Sequence, residues 1–143
     1  DYAHTPDALE QVLKTLREVA AARGGKLWCL FGCGGDRDQG KRPLMGEAVQ
    51  RHADIAIVSS DNPRNEDPQA IISDILAGMQ PGVRVNADRA SAIHQAVLEA
   101  KQHDVLLIAG KGHETYQEIA GRRLSFSDIE EARKALLARG LAA

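Results

Sequence analysis

Cysteine is scarce in this 143-residue sequence, which contains only Cys29 and Cys33. Two thiols four residues apart, with no second pair, are too few for the disulfide framework of a small secreted protein and lack the ligand spacing of a zinc site. No excess of positive charge is present either, since 18 Lys and Arg face 20 Asp and Glu, for a net charge of −2. The near-neutral balance argues against nucleic acid as a partner.

Long hydrophobic runs are also missing. No apolar stretch approaches the roughly 20 residues that cross a bilayer, and no signal peptide opens the sequence, so we expect no membrane association. What remains is an ordinary globular composition, with 43% hydrophobic and 27% charged residues. A chain of this length can bury the core of one domain without disulfides. It begins at Asp1 rather than Met, which fits a stable domain or a piece of a longer protein.

Helix and strand patterns alternate along the chain. Thr5, Pro6 and Asp7 form a helix-start signal, and the apolar spacing that follows predicts a helix up to Gly24. Further helices are predicted over residues 44–53, 68–79, 89–102 and 128–139, and strands over residues 27–31, 55–58, 83–86 and 105–109. Residues 116–119 and 123–126 resemble a hairpin around Gly121. The order predicts a Rossmann-like, doubly wound α/β fold with a mostly parallel sheet of about six strands, a C-terminal hairpin and a final helix.

Ligands of doubly wound sheets bind at the carboxyl ends of the strands, and the loops predicted there carry unusual combinations of residues. The loop over residues 32–43 is glycine-rich, and residues 35–41 have the spacing of a phosphate loop. Arg42 stands where such a loop needs Ser or Thr to hold magnesium, which disfavours that interpretation. A flexible loop that presents Arg37, Lys41 and Arg42 to an anion is favoured over a merely solvated loop.

Two further loops combine opposite charges. Asp61, Asn62 and Arg64 lie around Pro63 and would suit a zwitterion, although the same residue types form ordinary turns. Residues 110–114 place Lys, His and Glu among two glycines, which allow close backbone approach to a ligand. Near the first helix, Tyr2 and His4 could sandwich a flat ring or simply pack the helix start. We find no Ser-His-Asp triad and no set of metal ligands.

Taken in order, residues 1–7, 32–43, 61–64 and 110–114 resemble the C-terminal domain of the Mur ligase family, in the branch that adds diaminopimelate. The resemblance covers essentially the whole chain. It implies a bacterial cytoplasmic enzyme of peptidoglycan synthesis with three domains, of which residues 1–143 would be the third. The UDP-sugar domain and the central ATPase domain, with its phosphate loop and magnesium sites, would lie outside this sequence.

The resemblance also assigns residues to ligands. By matching the family's motifs, the site for meso-2,6-diaminopimelate would comprise Arg37, Asp61, Asn62, Pro63, Arg64, Gly110 and Glu114. The ATP contacts would be Asp1 at the ribose and Tyr2 and His4 at the adenine. Arg64 would recognise the distal carboxylate that distinguishes diaminopimelate from lysine.

In the full-length enzyme, the resemblance implies that ATP and Mg²⁺ phosphorylate the D-glutamate carboxylate of UDP-N-acetylmuramoyl-L-alanyl-D-glutamate. The amine of diaminopimelate then attacks the acyl phosphate. No catalytic residue and no metal ligand is expected within this chain, which alone should be inactive. The alternative is a stand-alone Rossmann-like module that binds a small zwitterion or a nucleotide. The roles of Lys41, Arg42, Lys111 and His113 stay open.

Overall fold

A computed structural model describes residues 3–140 of the chain. The elements in chain order are α1 (Pro6–Arg23), β1 (Leu27–Phe31), α2 (Lys41–His52), β2 (Ile55–Val58), α3 (Pro68–Leu76), β3 (Arg84–Val85), α4 (Arg89–Glu99), β4 (Val105–Ile108), β5 (Tyr116–Ile119), β6 (Arg122–Ser125) and α5 (Asp128–Ala138). The alternation predicted from the sequence is therefore confirmed, including the hairpin and the final helix.

Four of the six described strands form one parallel sheet in the order β3-β2-β1-β4. Its central strand β1 pairs with β2 from Trp28 to Phe31 and with β4 from Leu27 to Leu30. The other two strands, β5 and β6, pair with each other in a separate antiparallel hairpin. Strands β2 and β3 extend the sheet on one side of β1, whereas β4 pairs on the other side of β1. The position between β1 and β4 is therefore the topological switch point, where such folds bind ligands.

The core has two layers because alternate side chains of β1 face opposite sides of the sheet. Cys29 and Phe31 pack with buried residues of α1, α2 and α3, whereas Trp28 and Leu30 pack with those of α4 and α5. All five residues of β1 are buried. The strand is thus covered on both faces, as its continuous apolar run predicts, and the fold is doubly wound.

The predicted helix signals operate at both ends of α1. The Thr5 hydroxyl accepts a hydrogen bond from the Ala8 amide at 3.2 Å, and Pro6 occupies the first turn. The helix ends at Gly24, whose φ of 74° lies in the left-handed region that glycine adopts without strain. A hydroxyl cap and a glycine stop therefore fix both ends of this helix.

Three helices differ from their predicted bounds by three residues at one end, and the first of them, α2, begins at Lys41 rather than at residue 44. Pro43 lies in its first turn, where a missing amide costs no intrahelical hydrogen bond. The helices α3 and α4 each end three residues early, at Leu76 and Glu99, and β3 is only two residues long. Among residues 3–140, no helix has both the length and the apolar character that a bilayer crossing requires.

Candidate functional site

A pocket of about 280 Å³ lies at the carboxyl ends of β1, β2 and β4, beside the switch point. This volume is close to the lower end of the range typical of small-molecule sites, about 300 Å³. Its lining combines glycines, both signs of charge and few apolar groups: His4, Gly32, Cys33, Gly34, Arg37, Lys41, Met45, Asp61, Asn62, Arg64, Gly110 and Glu114.

Two arginines form the cationic side of the pocket, on either side of Gly34. A Cβ atom at Gly34 would lie 2.7 Å from Nη1 of Arg64 and 3.5 Å from Cγ of Arg37. Arg64 is about one-fifth exposed and donates from Nη1 to the Gly35 carbonyl at 3.0 Å. Arg37 is exposed and donates to the Asp36 carbonyl at 2.9 Å. Both guanidinium groups keep further N–H donors for an anionic ligand.

Asp61 and Glu114 form the acidic side. The Asp61 carboxylate lies against Gly110, where a Cβ atom would come 2.8 Å from Oδ2. Gly110 has a φ of 110°, so both its backbone conformation and this close approach require glycine. Asp61 is buried, and the Glu114 side chain is one-fifth exposed. The pocket therefore offers carboxylates on one side and guanidinium groups on the other.

The buried ammonium group of Lys111 contacts both acidic residues of the pocket. This side chain is fully buried, and its Nζ lies 3.2 Å from Oδ1 of Asp61 and 3.3 Å from Oε1 of Glu114. It also donates to Oδ1 of Asn62 at 2.8 Å and to the Tyr116 carbonyl at 3.0 Å. One buried cation thus neutralises part of the acidic charge and orients three residues of the pocket.

Asn62 is held from two elements. Its Oδ1 accepts from Lys111 and from the Glu118 amide of β5, the latter at 2.9 Å. Because Oδ1 accepts these bonds, the amide nitrogen faces Glu114, with Nδ2 3.4 Å from Oε1. The side chain is consequently fixed in one orientation relative to the pocket.

Cys33, in the loop after β1, lines the pocket and is buried. Burial, reinforced by the nearby Asp61 carboxylate, raises the pKa of the Cys33 thiol to about 12. The thiol is therefore protonated at neutral pH and does not act as a nucleophile.

Arg42 is not exposed to a ligand, contrary to the prediction from the sequence. The prediction that it is presented to an anionic partner is wrong, since its side chain is buried and donates to Glu66, Asp74 and the Gly34 carbonyl. The hydrogen bond with Glu66 raises the pKa of Arg42. Because α2 begins at Lys41, its first turn directs Arg42 inward, where it braces the glycine-rich loop against α3.

A second arginine, Arg89, is buried, and the sequence pattern does not predict this. Arg89 pairs with Asp128 at 2.8 Å and donates to the Ser60 and Ala109 carbonyls, both at 3.0 Å. It thereby ties the starts of α4 and α5 to the carboxyl ends of β2 and β4. The available signal was a charged residue at a helix start, but such residues are usually exposed.

Six of the seven residues predicted to bind the amino acid line the pocket, and the seventh, Pro63, lies beneath the glycine-rich loop, its carbonyl against Gly35. Of the predicted nucleotide contacts, His4 lines the pocket, and Lys41 donates from Nζ to its carbonyl at 3.1 Å. Asp1 and Tyr2 lie outside the described residues. Which ligand each residue binds stays a prediction.

Within residues 3–140, no group of three or more His, Cys, Asp and Glu is arranged to hold a metal ion. The glycine-rich stretch also departs from a phosphate loop, because Arg42 replaces the Ser or Thr and is buried against Glu66 and Asp74, and Lys41 donates to the His4 carbonyl. The arrangement suits recognition of a small molecule that carries both charges.

Comparison with known proteins identifies the family of this chain. The family described as "Mur ligase, glutamate ligase domain" matches residues 1–112. The chain belongs to the Mur ligase family. This Mur ligase domain spans less than one-third of the length of the curated relatives that it matches, since the matched part is 28% of each.

Two curated relatives carry the same name, UDP-N-acetylmuramoyl-L-alanyl-D-glutamate–2,6-diaminopimelate ligase. The protein from Acidovorax sp. (strain JS42) is 64% identical to this Mur ligase domain over 142 residues, which is 98% of the chain. The protein from Chromobacterium violaceum is 61% identical over 141 residues, also 98% of the chain.

Solved structures give a consistent fold. A structure of a ligase of the same name superposes with a TM-score of 0.89 at 51% identity, covering 98% of this chain and 29% of that one. A folylpolyglutamate synthase from Thermotoga maritima superposes with a TM-score of 0.57 at 20% identity, over 77% of this chain and 24% of that one. The second likeness concerns the fold alone.

Proposed function

We propose that this chain is the C-terminal domain of an ATP-dependent ligase that joins meso-2,6-diaminopimelate to UDP-N-acetylmuramoyl-L-alanyl-D-glutamate in peptidoglycan synthesis. The observation that carries the proposal is the 64% identity, across 98% of the chain, to a ligase with that printed name. The work of this domain is to bind the incoming amino acid and to face ATP. Such an enzyme acts in the cytoplasm.

The charges of the pocket support the choice of substrate. Diaminopimelate carries an ammonium and a carboxylate at each end, and lysine lacks the distal carboxylate. Arg64 and Arg37 offer planar donor forks for a carboxylate, and Asp61 and Glu114 offer acceptors for an ammonium group. Arg64 is the residue that would distinguish the two amino acids, and Pro63 shapes the loop that presents it.

In the reaction we propose, the D-glutamate carboxylate takes the γ-phosphoryl group of ATP and ADP leaves. The deprotonated amine of diaminopimelate then attacks the acyl phosphate, which forms the amide bond and releases inorganic phosphate. ATP and Mg²⁺ supply the activation of the carboxylate. Of the residues expected at the nucleotide, only His4 is described, which gives a partial fit for ATP, and the magnesium sites are expected in the central domain outside this sequence. The part of this chain is to orient the attacking amine, and alone it should catalyse no ligation.

A titration of the isotope-labelled chain with meso-diaminopimelate or L-lysine tests the pocket. We expect amide shifts at Asn62, Arg64 and Gly110, with diaminopimelate bound about tenfold or more tightly than lysine, since a charge-assisted hydrogen bond contributes roughly 1.5–3 kcal/mol. Arg64→Ala should remove that preference. The matched control is Arg133→Ala on α5, where the exposed guanidinium pairs with Glu130 of the same helix at 2.8 Å.

Two results would contradict the proposal. The first is equal affinity for the two amino acids in the wild-type chain, because the pocket would then not read the distal carboxylate. The second is ATP-dependent ligation by the isolated 143-residue chain, because the phosphate loop and the UDP-sugar site are expected outside it.

A further inference from the structure

Arg64 is held in an unusual backbone conformation by the hairpin of β5 and β6. Its φ of 53° lies in the left-handed region, which costs a non-glycine residue free energy unless neighbouring structure compensates. The compensation comes from β5 and the residue that follows it: the Arg64 amide donates to the Glu118 carbonyl at 2.8 Å, and the Arg64 carbonyl accepts from the Ala120 amide at 2.7 Å. The hairpin therefore sets the backbone of the residue that faces the substrate.

Glu118 also holds the side chain of Arg64. Its Oε2 accepts from Nε of Arg64 at 2.9 Å, and both side chains are only about one-fifth exposed. The guanidinium group has five N–H donors. Glu118 and the Gly35 carbonyl use one each, on Nε and Nη1, which fixes the plane of the group and leaves the other donors for a carboxylate.

The same residue reaches the neighbouring amide. The Glu118 backbone N–H donates to Oδ1 of Asn62 at 2.9 Å, so both polar residues that flank Pro63 are fixed by one position of β5. Its remaining carboxylate oxygen, Oε1, accepts from Nε of Arg123 at 3.2 Å. Arg123 is two-thirds exposed and stacks in turn over the Tyr116 ring, 4.3 Å from its centroid.

We propose that Glu118 is a positioning residue for amino-acid specificity: through its carboxylate, it holds the Arg64 guanidinium in the orientation that reads the distal carboxylate of the substrate. This inference rests on the proposed function, since it concerns how the same pocket selects its amino acid. Glu118 itself lies outside the pocket lining. Its carboxylate acts on the substrate through Arg64.

The test compares the affinities of meso-diaminopimelate and L-lysine for the 143-residue chain, by calorimetry, in three variants. Glu118→Ala removes the acceptor for Arg64 Nε and should reduce the preference for diaminopimelate about tenfold, with lysine affinity unchanged. Glu118→Gln keeps a carbonyl oxygen in reach of Nε and should retain most of the preference. Arg123→Ala removes the other side-chain partner of Glu118. Because Arg123 is two-thirds exposed, this variant should also retain the preference for diaminopimelate.

A direct readout comes from the NMR signal of the Arg64 Nε–H. We expect slow exchange with solvent in the wild type and in Glu118→Gln, and fast exchange in Glu118→Ala. If Glu118→Ala does not fold, fast exchange or a lost preference in the folded Gln variant overturns the inference.

The outcomes separate the two proposals. A wild-type preference that survives in Glu118→Ala overturns the positioning role and leaves the proposed function intact. A wild-type chain that binds both amino acids equally overturns the proposed substrate and this inference together. The positioning role is supported if Glu118→Ala loses the preference for diaminopimelate while Glu118→Gln and Arg123→Ala retain it. A general loosening of the hairpin would also reduce the preference in Arg123→Ala.

Discussion

Lys111 is the residue on which the acidic side of the pocket depends. Its ammonium group is fully buried and contacts Asp61, Asn62 and Glu114. Burying a charge is costly, and removing one partner of a buried pair leaves the other uncompensated. The arrangement therefore stabilises this pocket only while all its members are present.

Replacing Lys111 with Met keeps most of the side-chain volume but removes the charge. We expect the free energy of unfolding to fall by about 3–5 kcal/mol, measured by urea denaturation. The matched control is Lys134→Met, because Lys134 is 63% exposed and lies 3.5 Å from Glu131 in the same helix. That change should stay within about 0.5 kcal/mol. A similar small loss for both variants would show that the buried ammonium is not a structural requirement.

Among the elements, the two loops that follow β1 and β2 pack backbone against backbone. The Gly35 amide donates to the Asn62 carbonyl at 2.7 Å, and a Cβ atom at Gly35 would lie 1.8 Å from the Pro63 carbonyl oxygen. A side chain at Gly35 would thus force the loops apart. Their separation determines how far Arg37 lies from Arg64 across Gly34.

Gly35→Ala should destabilise the fold by about 1–3 kcal/mol or more, since overpacking against a rigid backbone cannot relax cheaply. It should also abolish binding of meso-diaminopimelate, measured by titration calorimetry. Gly40→Ala is the matched control: its Cβ would meet only the flexible Asp38 side chain, at 3.2 Å, so we expect a change of about 0.5 kcal/mol or less. Unchanged binding in Gly35→Ala would refute this role for the loop contact.

At the scale of the whole molecule, charged pairs connect elements that are distant in sequence. Asp54, before β2, accepts from Nη2 of Arg17 on α1 and from the Leu27 amide of β1, each at 2.8 Å. The hydrogen bond with Arg17 is the main cause that lowers the pKa of Asp54, with a further contribution from Leu27. Likewise, the hydrogen bond with Arg42 lowers the pKa of Glu66.

A carboxyl group whose pKa is lowered by folding contributes stability above its unfolded pKa, about 4 for Asp. This contribution disappears as the pH falls through the lower folded pKa. We therefore expect the free energy of unfolding to decrease below about pH 4. Asp54→Asn should be less stable at pH 7, with the gap to the wild type narrowing as the pH falls.

Urea denaturation at a series of pH values measures this effect. The control Glu130→Gln, an exposed residue whose ion pair lies within its own helix turn, should follow the wild-type curve. A constant gap between Asp54→Asn and the wild type down to about pH 2, well below the unfolded pKa, would show that protonation of Asp54 does not contribute to acid destabilisation.

Local patterns determined the elements and the region of the site. Helix α1 begins after Thr5 and ends before Gly24, and both ends are predictable because capping acts within a few residues. The apolar run of β1 indicates burial on both faces, whichever elements cover them. Since the carboxyl ends of parallel strands share one edge, the alternation also predicted which loops would meet. Charged side chains from three of those loops do line one pocket, among them Arg37, Asp61, Arg64 and Glu114.

Only the tertiary structure decided which charges face that pocket and which brace it. Arg42 in the first turn of α2 and Arg64 in the loop after β2 are the same residue type, yet Arg42 is buried against two carboxylates and Arg64 lines the pocket. The pairing of Arg64 with Glu118 joins residues 54 positions apart, and Lys111 reaches Asn62 across 49. Burial and charge pairing depend on contacts between distant segments, and a local pattern of residue types contains no record of those contacts.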